Sequence, residues 1–133
     1  MNIDWQYAKD MLYGMKYYPE AVVLDDKVYV GAGNTFNGLS VTSTVMVYNI
    51  PANKWSLLPA YDYYWFGMTS LHNKLVLVGG VVKGTEDRTN KLGEWDDKWV
   101  DTLLPPMPTA RSGPTVTTYK SRWLVVIVVS LIQ

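Results

Sequence analysis

The 133-residue chain is predicted to be an all-β protein built from an internal repeat. Three observations support this prediction. Aromatic and β-branched residues, which favour strands, are abundant, and the chain has ten tyrosines and six tryptophans. An apolar run that follows a short polar turn recurs at a nearly constant spacing. A tryptophan followed by Leu-Leu-Pro recurs at a similar spacing in a different phase.

The first marker of the repeat is the apolar run. DKVYVGAG at 26–33 aligns with NKLVLVGG at 73–80, so that Gly33 and Gly80 are 47 residues apart. SRWLVVIV at 121–128 begins 48 residues after the second copy. Similar segments at a fixed period are the signature of a repeat architecture. The glycines are therefore interpreted as structural, and a phosphate-binding loop is not expected, because no amphipathic helix follows them.

The second marker is a tryptophan after a polar-lysine pair. NKWSLLP at 53–59 and DKWVDTLLPPMP at 97–108 place Trp55 and Trp99 44 residues apart. Trp5 precedes Trp55 by 50 residues and is a candidate remnant of an earlier copy. Two independent markers at 44 to 50 residues indicate a genuine repeat.

Each repeat is predicted to form two β-hairpins. In the first copy, residues 20–33 give two strands around a turn at Asp25-Asp26, and residues 44–48 and 54–57 give a second pair around a Pro-Ala-Asn turn. In the second copy the hairpins span 68–80 and 90–105, the latter with its turn at Asp96-Asp97. Four short antiparallel strands about every 50 residues are typical of a propeller blade.

At these residues the sequence resembles the kelch-repeat family. The resemblance rests on the glycine pair Gly79-Gly80, on Tyr48 with Trp55 seven residues later, and on PPMPTARSG at 105–113. The first copy replaces the pair with Gly31-Ala32-Gly33. The resemblance implies a kelch-type β-propeller in which the glycines let strands crowd near the central channel and the tryptophan packs between neighbouring blades.

Two full four-stranded blades and parts of flanking blades are expected. The blades are placed at about 20–61 and 62–108, with the start of a next blade at 109–129, a remnant of a preceding blade or linker at 1–19, and a truncated tail at 130–133. Because a propeller closes with roughly 4–8 blades, the chain is expected to be a fragment of a longer protein or a truncated gene model.

The N-terminal segment has two interpretations. Residues 4–14 are either the outer strand of a preceding blade followed by a linker, or a helix. The helical alternative rests on Ile3, Tyr7 and Met11, which form a stripe at helical spacing that Gly14 would end.

Composition excludes several classes of function. Twelve basic and twelve acidic side chains cancel, which argues against nucleic-acid binding. Without cysteine there is no thiolate metal site or thiol nucleophile, and the compartment is expected to be cytoplasmic. The apolar C-terminal run of eleven residues, 123–133, is shorter than the roughly 20 that span a membrane, so a buried strand is expected.

No catalytic residue, metal or cofactor is expected. His72 is the only histidine and falls in a predicted turn, where Asp25 and Lys120 stand in the other copies. Some kelch-like propellers are copper oxidases that use a cysteine–tyrosine crosslink and histidine ligands, and a chain without cysteine cannot have that activity. Adjacent carboxylates occur only in predicted turns and loops. The alternative class is a sugar-active propeller enzyme of the sialic-acid-processing type.

The inter-blade loops are the candidate binding surface for a protein or peptide. Tyrosine, tryptophan and arginine are enriched at interface hot spots, and the resemblance implies that PTARSG forms part of one propeller face in kelch adaptors. The candidate residues are Tyr17, Tyr18, Tyr63, Tyr64, Trp65, Arg111 and Ser112. The alternative is that the aromatic residues pack between blades. Exposed blade faces and the apolar C-terminus also predict that the chain self-associates in isolation.

Overall fold

The computed structural model describes residues 3–12, 15–17, 19–31, 34–35 and 43–127. Across these ranges the chain forms strands, turns and irregular segments, without any helix. The all-β prediction is therefore confirmed.

The described residues form fourteen strands. In chain order they are β1 (Met15–Tyr17), β2 (Glu20–Leu24), β3 (Lys27–Gly31), β4 (Asn34–Thr35), β5 (Met46–Asn49), β6 (Lys54–Leu57), β7 (Tyr63–Tyr64), β8 (Gly67–Leu71), β9 (Lys74–Val78), β10 (Val81–Val82), β11 (Leu92–Trp95), β12 (Trp99–Val100), β13 (Thr115–Tyr119) and β14 (Trp123–Ile127).

Two four-stranded antiparallel sheets carry the repeat. The first has the order β2-β3-β5-β6 and the second the order β8-β9-β11-β12. A third hairpin pairs β13 with β14. Strand β8 contacts both β2 and β13, so the first strands of the three units lie side by side. The prediction of two four-stranded blades followed by part of another is confirmed.

Two of the hairpin turns have a backbone conformation that suits paired antiparallel strands. His72 and Asn73 have φ angles of 51° and 61°, and Lys120 and Ser121 have 53° and 52°. Two consecutive residues with positive φ give the turn whose twist matches that of paired strands. The turns also contact each other, because the His72 amide donates to the Ser121 carbonyl at 3.3 Å.

Two short pairings add a small ribbon to each repeat. Strand β7 pairs with β10, with Tyr63 opposite Val82 and Tyr64 opposite Val81. In the first repeat β1 also pairs antiparallel with β4, with a register irregularity between Met15 and Tyr17. These ribbons place the segments before β2 and before β8 beside the loops that leave β3 and β9.

The core lies between the sheets, and both faces of the second sheet are buried. Leu75 and Leu77 of β9 belong to one cluster, whereas Val76 and Val78 belong to the other. The first cluster contains Tyr29 and Val47 of the first sheet, together with Val45 just before β5. The second is packed against Val116, Leu124 and Val126 of the third hairpin. Alternate side chains of β9 therefore pack against the sheets on either side of it, as stacked blades require.

The outward faces of the first and third units are more open. Val23 on β2 is 64% exposed, and Trp123 and Ile127 on β14 are 60% and 53% exposed. Exposed apolar residues at this density on a sheet face indicate a surface that favours a further packing partner.

The repeated tryptophans bind the segment that precedes their own sheet. The indole Nε1 of Trp55 donates to the Lys9 carbonyl at 2.7 Å, and that of Trp99 donates to the Pro59 carbonyl at 2.7 Å. Lys9 and Pro59 are each four residues beyond a tryptophan, Trp5 and Trp55 respectively. The offset of 50 residues between Trp5 and Trp55 therefore extends to the backbone contacts that follow them.

Residues 3–12 are neither helix nor strand, so neither alternative for this segment describes it. Its backbone nevertheless has a fixed place, because the Lys9 amide donates to Asn53 Oδ1 at 3.0 Å beside the bond to Trp55. Trp5 is 93% exposed.

Tyr61 has an unsatisfied polar group in the first core cluster. Its ring packs against Tyr63, Phe66 and Trp99 at centroid distances of 5.1, 5.7 and 5.1 Å. Its buried hydroxyl has no hydrogen-bond partner in the described part of the chain. A buried hydroxyl in this state costs stability, because it has lost its hydrogen bonds to water.

Tyr61→Phe is expected to raise the free energy of unfolding by about 1 kcal/mol, because it removes this unsatisfied hydroxyl. The matched control is Tyr63→Phe, which removes a bond to Asp101 Oδ2 of 3.2 Å and should lower the same quantity by about 1–2 kcal/mol. Urea denaturation measures both. Equal losses for the two variants would contradict the expected difference.

Burial also raises the pKa of Tyr61 above its ordinary value of 10.0, and the nearby Tyr63, Asp101 and Asp62 raise it further. Below pH 10 both the folded and the unfolded chain hold this proton, so it contributes no pH dependence. As the pH rises above 10, only the unfolded chain releases it readily, and stability falls. The loss of stability with alkaline pH should therefore be shallower in Tyr61→Phe.

Candidate functional site

A cavity lies where the three units begin their first strands. Its volume is about 530 Å³, and we call it the inner-strand cavity. The residues that line it are Pro19, Glu20, Trp65, Phe66, Ser112, Gly113 and Thr115. They come from the segments that enter β2, β8 and β13. Equivalent positions of three repeats thus surround one space, which is the size of a small-ligand or side-chain pocket.

Trp65 is held in this cavity by its backbone and by a neighbouring ring. Its φ angle is 54°, and its carbonyl accepts from the Gly113 amide at 2.7 Å. The ring lies edge-on to Tyr64 at a centroid distance of 5.5 Å and is 39% exposed. Tyr64 is fixed in turn, because its hydroxyl donates to the Thr85 carbonyl at 3.2 Å. The cavity therefore has an accessible aromatic wall with a fixed orientation.

Tyr63 points away from the inner-strand cavity into the first core cluster. It is buried, and its hydroxyl donates to Asp101 Oδ2, which also pairs with Lys91 Nζ at 3.5 Å. Burial raises the pKa of the Tyr63 phenol, Lys91 opposes this shift, and Asp101 adds to it. In this structure Tyr63 supports the loop that carries Tyr64 and Trp65.

Arg111 and Ser112 are adjacent in sequence but line different cavities. Ser112 lines the inner-strand cavity, whereas Arg111 lines a second cavity of about 450 Å³ beside β14. The backbone of Arg111 is fixed, since its amide donates to Thr89 and its carbonyl accepts from Gly80. Its guanidinium forms none of the ion pairs between described residues. The structure thus brings Trp65 and Ser112 together and places Arg111 on a neighbouring surface.

Glu20 is a site residue that the sequence analysis did not identify. Partial burial raises the pKa of its carboxyl, and a hydrogen bond from the Met68 backbone opposes that shift. A carboxylate at the first position of a strand has no distinctive sequence signal. Only the packing of β2 against β8 places it in a shared cavity.

Of the remaining predicted residues, some are described only by their backbone and some lie outside the described ranges. Tyr17 lies in β1, which pairs with β4 as β7 pairs with β10, and its position corresponds to that of Tyr64. Tyr18 lies outside the described residues, as does the repeat marker Gly33. Tyr48 and Trp55 stack at a centroid distance of 5.0 Å, and both are half-buried.

Among the described residues, metal-ligand clusters and membrane-spanning helices are both absent. No three histidine, aspartate or glutamate side chains in these ranges are grouped as metal ligands would be. His72 lies exposed in its turn. Among the same residues there is no helix with the length and hydropathy needed to cross a bilayer.

The sheets and their stacking define a repeat protein of the β-propeller class. Comparison with known proteins identifies the repeat, because residues 15–60 match the family model described as Kelch motif. Kelch-like protein 23 of Pongo abelii is 37% identical over 78 residues, and that of Homo sapiens is 36% identical over 78 residues. The resemblance to the kelch-repeat β-propeller family is thereby confirmed, with a Kelch motif at residues 15–60.

These relatives are much longer than the matched region. Each match covers 56% of this chain and 14% of the relative. Among solved structures, that of YjhT superposes with a TM-score of 0.73 at 19% identity, over 92% of this chain and 41% of the other. At that identity the likeness concerns the fold alone.

Proposed function

We propose that the chain is a non-enzymatic protein-interaction module that binds a protein or peptide at the inner-strand cavity and the loops around it. The observation that carries the proposal is the convergence of three equivalent inter-blade segments on one cavity with an exposed aromatic wall. Loops held by rigid sheets are the usual binding surfaces of such folds, and tryptophan is enriched at hot spots.

Two further features support binding rather than packing as the role of this surface. Trp65 retains 39% exposure although the rings of the adjoining core are buried. Arg111 has a backbone fixed at both its amide and its carbonyl, so its side chain does not have to hold the loop in place. A rigid backbone with an accessible arginine and tryptophan limits the entropy lost on binding.

The experiment compares binding by matched variants of the full protein. A partner is first identified by proximity labelling, and its affinity for purified protein is then measured by isothermal titration calorimetry. Arg111→Ala and Trp65→Ala are each expected to weaken binding by about 1–2 kcal/mol or more, as hot-spot truncation does. Thermal unfolding of Arg111→Ala should be nearly unchanged, because the substitution keeps both backbone hydrogen bonds.

The matched control is Arg122→Ala. Arg122 follows the turn at the other end of the β13-β14 hairpin and lies 5.8 Å from the Trp123 ring. It should bind the partner as the wild type does. If Arg122→Ala weakens binding as much as Arg111→Ala, the inter-blade loops are not the binding surface. If Arg111→Ala unfolds the domain, the arginine is a structural strut.

Two finer features belong to the same proposal. The proposal includes a role as a substrate adaptor in the cytoplasm, for which the similarity to Kelch-like protein 23 is the starting point. Self-association of the isolated chain is supported by the exposed apolar side chains of β14, Trp123, Val125 and Ile127, since a sheet face of this kind favours burial against another surface.

A further inference from the structure

The described lining of the inner-strand cavity contains an acidic residue and no basic one. Among the described residues that line it, Glu20 is the only ionisable one; the others are aromatic, hydroxyl-bearing, proline or glycine. Arg111 lines the neighbouring cavity instead. The inner-strand cavity is therefore anionic when Glu20 is ionised, although the chain as a whole has no net charge.

Glu20 lacks a cationic partner among the described residues. The ion pairs of the described chain are those of Lys74 with Glu94 and Asp96 and that of Lys91 with Asp101. Burial raises the pKa of the Glu20 carboxyl, and the hydrogen bond from the Met68 backbone lowers it by less. A partly desolvated carboxylate with one donor is a favourable counter-ion for an incoming cation.

The remaining walls suit a planar cation. Trp65 offers an oriented ring, and a guanidinium over an aromatic face gains a cation–π attraction. Ser112 and Thr115 add hydroxyl oxygens that can accept hydrogen bonds. A guanidinium presents five donors in one plane and stacks on aromatic rings, whereas an ammonium is a compact and strongly hydrated charge.

We propose that the inner-strand cavity binds an arginine side chain of the partner protein, with Glu20 as its counter-ion, Trp65 as its stacking surface and the two hydroxyls as further acceptors. This inference rests on the proposed function and specifies the chemistry of the partner. It assigns Glu20 to partner recognition, and it predicts that the recognised segment of the partner is basic at one position.

The test uses the 133-residue chain and two short peptides. The probes are acetyl-Gly-Arg-Gly-amide and the same peptide with citrulline, which keeps the shape of arginine but has no charge. Binding is followed by the indole N–H resonance of Trp65 in ¹H–¹⁵N spectra, assigned with Trp65→Phe. The arginine peptide is expected to give a saturable shift, and the citrulline peptide to bind about tenfold more weakly, because a charge-assisted hydrogen bond is lost.

Glu20→Gln provides the second arm. It keeps an oxygen that can accept from the Met68 amide but removes the charge, so it should also bind the arginine peptide about tenfold more weakly. The matched control is Glu86→Gln in the exposed loop after β10, which should bind as the wild type does. Backbone spectra establish that both variants are folded. The comparison of the arginine and citrulline peptides uses wild-type protein alone, so it tests the proposal even if Glu20→Gln does not fold.

Failure of this inference can be told apart from failure of the proposed function. Absence of a saturable shift, or equal affinity for the arginine and citrulline peptides, overturns the arginine assignment. Equal affinity of wild type and Glu20→Gln does the same. If the calorimetric effects of Arg111→Ala and Trp65→Ala on the protein partner persist in that case, the interaction surface stands and only its cationic specificity is rejected.

Discussion

Gly80→Ala is expected to lower the free energy of unfolding by about 3 kcal/mol or more, or to prevent folding of the chain. Gly80 has a φ angle of 119°, a conformation that L side chains rarely adopt, and strain of this kind costs about 1–3 kcal/mol. An added Cβ would also lie 2.7 Å from the Tyr64 carbonyl oxygen and 3.2 Å from Tyr63 Cβ.

These neighbours cannot move away easily. Tyr63 and Tyr64 form β7, which pairs with the strand that follows Gly80. The Gly80 amide also donates to the Arg111 carbonyl at 2.8 Å. A side chain at this position would therefore push against the segment from Tyr63 to Phe66, and a shift of that segment would disturb the inner-strand cavity, which Trp65 and Phe66 line.

Gly84→Ala is the matched control for this substitution. Gly84 also has a positive φ, 75°, but an added Cβ would meet no atom within 4 Å. It should cost only about 1 kcal/mol, the strain of the conformation itself. Urea denaturation of the two variants separates strain from crowding. Equal costs would show that the close approach at Gly80 does not limit stability.

Trp99→Ala is expected to lower the free energy of unfolding by about 3 kcal/mol, near the lower end of the range for truncated buried aromatic residues because Trp99 is half-buried. The ring packs against Tyr61 and Trp95 at centroid distances of 5.1 and 5.0 Å. The variant also leaves the Pro59 carbonyl without its hydrogen bond from the indole. Calorimetry or urea denaturation measures the loss.

Two further variants show which contact matters. Trp99→Phe keeps an aromatic ring and loses the N–H, so it should cost less, with about 1 kcal/mol due to the hydrogen bond. Trp5→Ala, at a ring that is 93% exposed, should change stability by about 0.5 kcal/mol or less. A Trp99→Ala variant as stable as Trp5→Ala would contradict a role for the indole in joining the two sheets.

The sequence predicted the hairpins well because their signals are local. Polar turns between apolar runs placed the pairs β2-β3 and β8-β9 at the right positions, and the turn at Asp25-Asp26 lies where it was expected. The outer hairpin of the first sheet was predicted from residues 44–48 and is observed at Met46–Asn49. An error of this size is usual at strand ends, because side-chain periodicity does not define them.

Features that depend on distant contacts were not predictable. The ribbons of β7 with β10 and β1 with β4 are too short to show periodicity. Packing of two repeats against each other is what buries the Tyr61 hydroxyl without a partner among the described residues and brings the tryptophan indoles to their carbonyl partners. For the same reason, the grouping of Trp65 with Ser112 could be suspected from the repeat alignment, whereas Glu20 in the same cavity could not.

The tryptophan hydrogen bonds give the array a direction. Each indole donates a hydrogen bond to the segment that precedes its own sheet, and not to the segment that follows it. Repeat arrays are coupled through contacts between neighbouring units. If one sheet unfolds, its tryptophan no longer holds the segment that leaves the preceding sheet. The tryptophan of the next sheet also loses its hydrogen bond, because its carbonyl partner lies in the segment that leaves the unfolded sheet. Unfolding would therefore spread along the chain from one unit to the next, and the units would melt cooperatively.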